Sequence, residues 1–555
     1  MAYTRRNTTD GVTVMNKDLY DNLQDGIEEK PFYYNSVEEM KTDERLKEGM
    51  KAVTLGYYEP NDGGSATYLI MDKNNGLTQL DYIVLENGLY AVIITKGVRK
   101  YNVNQLGLIP SLDDCSIKLQ DILDKTVHDS VLYFPRGNYN FKTPVTVKRV
   151  ITFIGDSHIL APNFLYDNFG TIFNVISKNM ANSYFLDSYT GSSQRVTYKN
   201  IIFKCDSFNM VEDRSKLIID RFNVYQKTIN TENVSCLNIS YNSRIKECVF
   251  SGFSGVCVNS RAWNLIEDNY FENSNIGICT GIDSQVNRFR GNLLDISIKI
   301  NGSANIITNV RTDSISSHAI IFDDSNGNCE GNTLSNFDFD FVYFSAIKLN
   351  GRNNRITGNI GRCGCSCAGL EIEDLDLSED MYKCCGIYCS NSNYNDYDNF
   401  IDVSLSYSQA LDDTVQYKSP IIKIGLGGGG FTRYTINLSG SSPFNFDTKT
   451  KYAPGAVVSL SDFKHLINVE GKSLNFRGSL THNGVTYHFN PLTGNFDTYN
   501  IFTDSEIPYS TTRDPSTAPP KIGLIARHNG LKAIYLSIGT SKGDWLKIAD
   551  IPISS

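Results

Sequence analysis

The residues of this chain whose types and spacing could do chemistry are carboxylates at repeating positions, with Asp323 and Glu373 first among them. Asp323 stands just after the apolar run Ala319-Ile-Ile-Phe322, and Glu373 stands at the equivalent place after Gly369-Leu-Glu-Ile372. Cleaving a glycosidic bond by hydrolysis needs one carboxyl group to protonate the leaving oxygen and a second to act as base or nucleophile. Their separation is about 5 Å for retention and roughly 6.5–9.5 Å for inversion. Asp324 and Asp374 flank the pair, and Asp268, Glu272 and Asp295 lie on neighbouring repeats. Elimination at a uronate would instead use a basic group, and Lys299 and Lys348 are expected to face outward. A second group, Tyr382, Tyr388, Tyr394 and Tyr397, with Tyr407 beyond it, sits among Asn and Asp. Tyrosine offers an apolar face and a hydroxyl together, so these four are the expected glycan-binding residues, although such aromatics also line subunit contacts.

The elements that must position these residues are short apolar strands recurring through the middle of the chain. They begin at Gly255, Gly277, Ser297, Ala319, Ala346, Gly369 and Gly386, with gaps of 22, 20, 22, 27, 23 and 17 residues. A unit this short cannot bury its apolar side alone and must stack on its neighbours. Second segments beginning at Asn264, Asn287, Asn305, Asn328 and Asn354 precede the next strand in each repeat. Two strands per repeat, Asn/Gly/Ser turns and no helical period predict an all-β fold, a parallel β-helix.

Within each strand, alternation should point Val256 and Val258, Ile278 and Thr280, Ile298 and Ile300, Ile320 and Phe322, and Ile347 and Leu349 inward. Cys257, Cys279, Lys299, Ile321, Lys348, Glu371 and Tyr388 then form an outward column. Coils stack about 4.8 Å apart, so Asp323 and Glu373, two coils apart, are separated by about 9.6 Å. Glu267 and Glu330 are expected in the other outward column but three coils apart, too far to pair. Asn269, Asn292, Asn309, Asn332 and Asn359 are expected to form a structural amide ladder at one corner.

The formal charge of -9, with charges well mixed, does not suggest nucleic-acid binding, and no apolar run reaches membrane-spanning length. The first ten residues lack the apolar core of a secretory signal, which predicts synthesis in the cytoplasm. All 13 cysteines lie between Cys115 and Cys389, an odd number unlike a secreted disulfide framework. The Cys363, Cys365, Cys367 group has a spacing of two rather than that of a zinc knuckle, so buried thiols are expected and no metal or cofactor is assigned. The Asp396-Tyr-Asp398 and Asp323–Asn328 segments lack a full calcium ligand set. His318, immediately before its strand, reads as a turn residue.

Four zones follow. Residues 1–30 carry a helical stripe of Met15, Leu19, Leu23 and Ile27; residues 31–100 form a small β domain; residues 101–424 form the solenoid. A Gly425–Gly430 hinge leads to a β-rich zone, residues 425–555, expected to contain strands within Lys521–Gly530 and Ile534–Ile538.

The segment Leu112-Asp-Asp-Cys-Ser-Ile-Lys-Leu-Gln-Asp-Ile-Leu123, followed by Val131-Leu-Tyr-Phe-Pro-Arg-Gly-Asn-Tyr139, Pro144-Val-Thr-Val147 and Ile151-Thr-Phe-Ile-Gly155, resembles the start of the pectate-lyase superfamily β-helix. The pattern Phe32, Val37, Met40, Leu46, Gly49, then Gly56-Tyr-Tyr…Asp62-Gly-Gly…Tyr68, resembles the segment before the β-helix in bacteriophage tailspike and tail-fibre proteins. The resemblance implies a right-handed β-helix, a homotrimer, a place in the virion tail after synthesis in the host cytoplasm, and attachment to tail or connector proteins through the N-terminus. It also implies recognition, and degradation, of a bacterial surface polysaccharide such as wall teichoic acid or capsule. A purely adhesive virion protein and a cellular β-helix hydrolase or lyase are the alternatives.

Overall fold

Strand-forming segments three to ten residues long, punctuated by single Asn, Asp or Gly residues, cannot make a flat sheet of long strands; they make short strands joined by sharp corners. The computed structural model describes residues 30–361, apart from 74–75, 95–98, 158–169, 190–194, 208–232, 294–295, 316–317, 326 and 343–345, together with short strands between Ile387 and Asp550. Two compact units divide at Ile387 and Tyr388. Residues 1–29, Asp295, Glu373, Asp374, Tyr382, Tyr394, Tyr397, Tyr407, the Cys363–Cys385 group and the Gly425–Gly430 run lie outside the described residues, as does the side chain of Tyr388.

The first unit opens with a five-stranded sheet between Phe32 and Ile93. The Gly-Tyr-Tyr…Asp-Gly-Gly motif is the joint between this sheet and the coils. The Asp62 carboxylate accepts backbone N–H groups from Tyr57, Tyr58, Glu59 and Gly64 at 2.7–3.3 Å. Tyr58 Oη donates to Gly107 O at 3.0 Å, and Gln105 Nε2 donates to Ser65 O at 2.8 Å. A Cβ on Gly56 would sit 1.7 Å from Glu59 O, so the motif requires glycine there.

A parallel β-helix follows, as the strand periodicity predicts. The helix Ser116–Lys125 buries Leu119, Ile122 and Leu123 and exchanges hydrogen bonds with the first coil through Gln120 and Thr146. It covers an end that would otherwise be an open edge. Each later coil contributes to two parallel sheets. The first sheet takes two short strands per coil, as in Leu265–Glu267 and Tyr270–Glu272, which merge into single strands at Ile306–Ile315 and Thr333–Val342. The second sheet takes one strand per coil: Val234–Tyr241, Val256–Ala262, Ile276–Ile282, Ile296–Ile300, His318–Phe322 and Ile347–Leu349.

Two corners per coil are made by single residues in the left-handed region. One column is Asn200, Glu247, Asp268, Arg288, Asn309 and Asn336; the other is Asn242, Trp263, Asp283, Ala304, Gly331 and Asn353. Asn and Asp tolerate this conformation through local side-chain hydrogen bonds, which accounts for their recurrence. Inside, Phe203, Phe250, Phe271 and Phe289 stack with centroids 4.7–5.0 Å apart and ring planes within 13°. Each is worth about 1.5–3 kcal/mol of burial.

The register corrects three expectations. Val258 pairs Ile278, then Ile298, Ile320 and Ile347, so the coils advance by 20, 20, 22 and 27 residues. The strand starting at Val256 therefore enters two residues out of step with the expected alignment. Cys257 is fully buried and Val256 is half-exposed, while Asn259 takes the outward place. Second, the amide ladder runs through Asn305, Asn332 and Asn354, with Asn305 Nδ2 donating to Asn332 Oδ1 and Asn332 Nδ2 to Asn354 Oδ1, both at 2.9 Å. Asn264 does the same work on Ser243 N at 2.7 Å. Of the expected ladder residues whose side chains are described, only Asn332 belongs to it, and the side chain of Asn292 lies outside the described ones. Asn269 accepts Cys248 N at the opposite corner, while Asn309 and Asn359 lie on the exposed side. The reason is that the second segments start at Ser284 and Asn332, not Asn287 and Asn328, because the coils are unequal in length. Third, Glu330 does not share the column of Glu267: it bridges to Arg352, whereas Glu267 stacks between Lys246 and Asn287.

In the second unit, Asn399–Leu405, Tyr434–Gly440 and Val457–Leu460 pair in parallel, so coil-like pairing continues beyond residue 424. Antiparallel strands follow, including Ile525–His528 with Ala533–Ser537 and Trp545–Asp550. No helix among the described residues is long and apolar enough to cross a membrane.

Candidate active site

Outward-facing side chains of the second sheet build the site. Pairing from coil to coil puts Asp187, Asn238, Asn259, Cys279, Lys299, Ile321 and Lys348 in one column. Six coil steps make a row about 29 Å long. Its first part is an amide–carboxylate ladder: Asn259 Nδ2 donates to Asn238 Oδ1 and Asn238 Nδ2 to Asp187 Oδ1, each at 3.0 Å. Tyr184 lies against this ladder, and burial pushes its hydroxyl up to about 12.

Two residues further along each strand runs a second outward column. Arg261, Gly281, Asn301, Asp323 and Asn350 each follow a residue of the paired set Ser260, Thr280, Ile300, Phe322 and Leu349. Asp323 thus stands where the spacing predicts, directly after its strand. The stretch between Asp323 and Asn332 is five residues longer than that between Asn301 and Asn305 in the preceding coil, so the longest described turn at this corner starts at the carboxylate.

Asp323 Oδ2 lies 2.7 Å from Lys299 Nζ, and Asp323 Oδ1 accepts Ser325 N at 3.0 Å. Burial disfavours its charge, but the Lys299 hydrogen bond, the Ser325 N–H and the lysine charge outweigh burial and hold its pKa below the ordinary carboxylate value. On the next coil, burial lowers the Lys348 pKa; the attraction of Asp323 opposes that shift and the repulsion of Lys299 adds to it. One ionised carboxylate is therefore set between two amines, one of them desolvated. Such a carboxylate can act as base, nucleophile or charge stabiliser but not as the acid, and a lysine with a lowered pKa can take a proton.

The other candidates fall elsewhere. Asp324 is 6% exposed and its Oδ1 accepts Cys329 N at 2.7 Å, fixing the turn. Asp268 is a left-handed corner of the first sheet, 2.8 Å from Arg288. Glu272 is half-buried in the first sheet, and Glu267 is held there by Arg244 and Lys246. His318 is not a turn residue: it begins its strand and is 2% exposed. The seven described cysteines are free and buried; burial pushes Cys257 and Cys279 up to about 12, so neither is a thiolate nucleophile. Among the described residues no cluster of three or more His, Cys, Asp or Glu could hold a metal ion. Sequence reasoning missed Asp187, Asn238, Asn259 and Arg261. The Asn238-to-Asn259 spacing of one coil carried the signal, which the two-residue slip at Val256 hid.

Residues 101–334, which fold as parallel β-helix, match the family model described as rhamnogalacturonase A/epimerase, pectate lyase-like. No curated protein sequence matches the chain. Among solved structures, the chain is similar to the tailspike protein gp49 of Acinetobacter baumannii bacteriophage Fri1, a capsular polysaccharide depolymerase. The identity is 12%, with 82% of this chain and 75% of that chain covered and a TM-score of 0.48. It is similar to the gp42 tailspike of Acinetobacter phage vb_AbaP_AS12 at 11% identity, covering 93% and 88% with a TM-score of 0.44. It is also similar to the catalytic unit of a GH87 alpha-1,3-glucanase from Streptomyces thermodiastaticus strain HF3-3 at 11% identity, covering 72% and 70% with a TM-score of 0.40.

Proposed function

We propose that this protein is a tailspike of a bacteriophage that binds and depolymerises a bacterial surface polysaccharide. The observation that carries the reading is Asp323, ionised between Lys299 and Lys348, beside a row of outward positions, most of them polar, long enough for an extended polymer. The pectate lyase-like match and the tail-fibre-like motif around Asp62 support it.

For hydrolysis, Asp323 takes the proton of the attacking water and Glu373 gives one to the leaving oxygen; the expected separation of about 9.6 Å is at the upper edge of the inverting range and far from the retaining one. A second reading is favoured by Lys348, half-buried on the next coil with its pKa lowered by burial. In it Lys348, in its unprotonated form, removes the proton next to a uronate carboxylate, a carbon–carbon double bond forms as the bond to the leaving sugar oxygen breaks, and that oxygen takes a proton from water, leaving an unsaturated product. Tyr382, Tyr388, Tyr394 and Tyr397 would extend glycan contacts. The chain acts as a homotrimer, held to tail or connector proteins through residues 1–30. Sizing of capsular and wall polysaccharides after incubation tests the reading: shortened polymer supports it, and intact polymer from every host leaves an adhesin.

A further inference from the structure

Trp263 occupies a left-handed corner, φ 55°, where the other coils place Asn242, Asp283, Ala304, Gly331 and Asn353. A bulky residue is strained there and ordinarily gains burial in return, yet Trp263 is 55% exposed. Its indole Nε1–H donates to the Asp283 carboxylate at 3.0 Å, which fixes the ring plane. The ring centroid lies 5.3 Å from that of Tyr241. Arg261 Cζ lies over the Tyr241 ring at 4.9 Å and over the Tyr189 ring at 4.6 Å, and Tyr189 is 45% exposed. The guanidinium charge is met by ring faces rather than by a carboxylate among the described residues, leaving its N–H edges as the polar rim.

Arg261 shares the column of Asp323, three coils away, about 14 Å along the axis. Gly281, in between, has no side chain, and a Cβ there would meet Arg261 O at 1.8 Å. Gly281 and Asn301 are the two positions of that column between the cluster and the charged site.

We infer that Trp263, Tyr241, Arg261 and Tyr189 form a subsite for a carboxylate-bearing sugar of an extended glycan, the rings stacking on its apolar face and Arg261 holding its carboxylate. The inference rests on the glycan reading above and adds an acidic substrate class to it. Two lysines around one carboxylate at the far end of the same column favour the same class of polymer.

The chain has two tryptophans, so Trp545→Phe leaves Trp263 as the sole indole reporter. Full-length protein carrying that change is titrated with oligogalacturonate and with a neutral dextran fragment of matched length. The expected result is a saturable change in emission with oligogalacturonate, binding of dextran at least tenfold weaker, and a tenfold loss for the acidic probe in Arg261→Ala. Trp263→Asn, which suits the corner, should lose the binding in calorimetry while keeping its melting temperature. The inference is overturned by no response to oligogalacturonate, by equal response to dextran, by indifference to Arg261→Ala, or by a Trp263 that acrylamide cannot reach because another copy covers it. Product release is followed in parallel. Depolymerisation unchanged in Trp263→Asn sinks the subsite and leaves the enzyme; binding at Trp263 without any product sinks the enzyme and leaves the subsite.

Discussion

Lys299 Nζ contacts Asp323 Oδ2 at 2.7 Å across two adjacent coils, a diagonal pair on the outer face of the second sheet. The pair is partly exposed, so its worth to stability is modest, about 0–1 kcal/mol. Its consequence is chemical: it favours the ionised form of Asp323.

Lys299→Met should therefore raise the Asp323 pKa. The acid limb of the pH–rate profile for polymer cleavage is expected to move to higher pH, with the folded state retained by circular dichroism. An unmoved limb would detach Asp323 from that ionisation.

Lys348 should titrate with the opposite consequence for stability. Its folded pKa lies below the unfolded value near 10.5, so the folded state binds fewer protons and the penalty is fully present at neutral pH. Lys348→Met is expected to melt at the same temperature as the parent or higher at pH 7, and the advantage should fade as pH rises towards 10.5. If elimination is the chemistry, the same variant loses activity despite its stability.

Asn332 is the middle rung of the buried amide ladder, both donating to and accepting from neighbours. Asn332→Leu leaves the Asn305 N–H without its acceptor and removes one of the two hydrogen bonds that Asn354 Oδ1 accepts, and is expected to cost about 1–3 kcal/mol. Denaturant unfolding measures it; a loss below about 0.5 kcal/mol would contradict the ladder.

Gly281→Ala tests the corner packing. A Cβ 1.8 Å from Arg261 O forces two backbones apart, and destabilisation of about 3 kcal/mol or more is expected. A melting temperature like that of the parent would mean the coils are set differently there.

How much of this was legible in the sequence depends on the physical origin of each signal. The strands around Ile278, Ile298, Ile320 and Ile347 were readable because inward apolar residues recur whenever a coil buries one face. Asp323 was readable because it directly follows such a strand. The ladder was not, because coils of 20 and 27 residues break any fixed period and only pairing tells Asn332 from Asn328. Cys257 does not follow the alternation, because it and Val258, two successive residues of one strand, are both buried. Trp263 gave no signal at all: nothing in a local pattern tells a left-handed surface tryptophan from one in a core.

The most direct measurement is reducing-end release from acidic capsular and wall polysaccharides by the wild-type protein and by Asp323→Asn. Release by the wild type, reduced about 10²–10⁴-fold in the variant with folding unchanged, is the expected result. Equal release by both would contradict a catalytic Asp323, and no release by the wild type from any such polymer would contradict the enzyme itself.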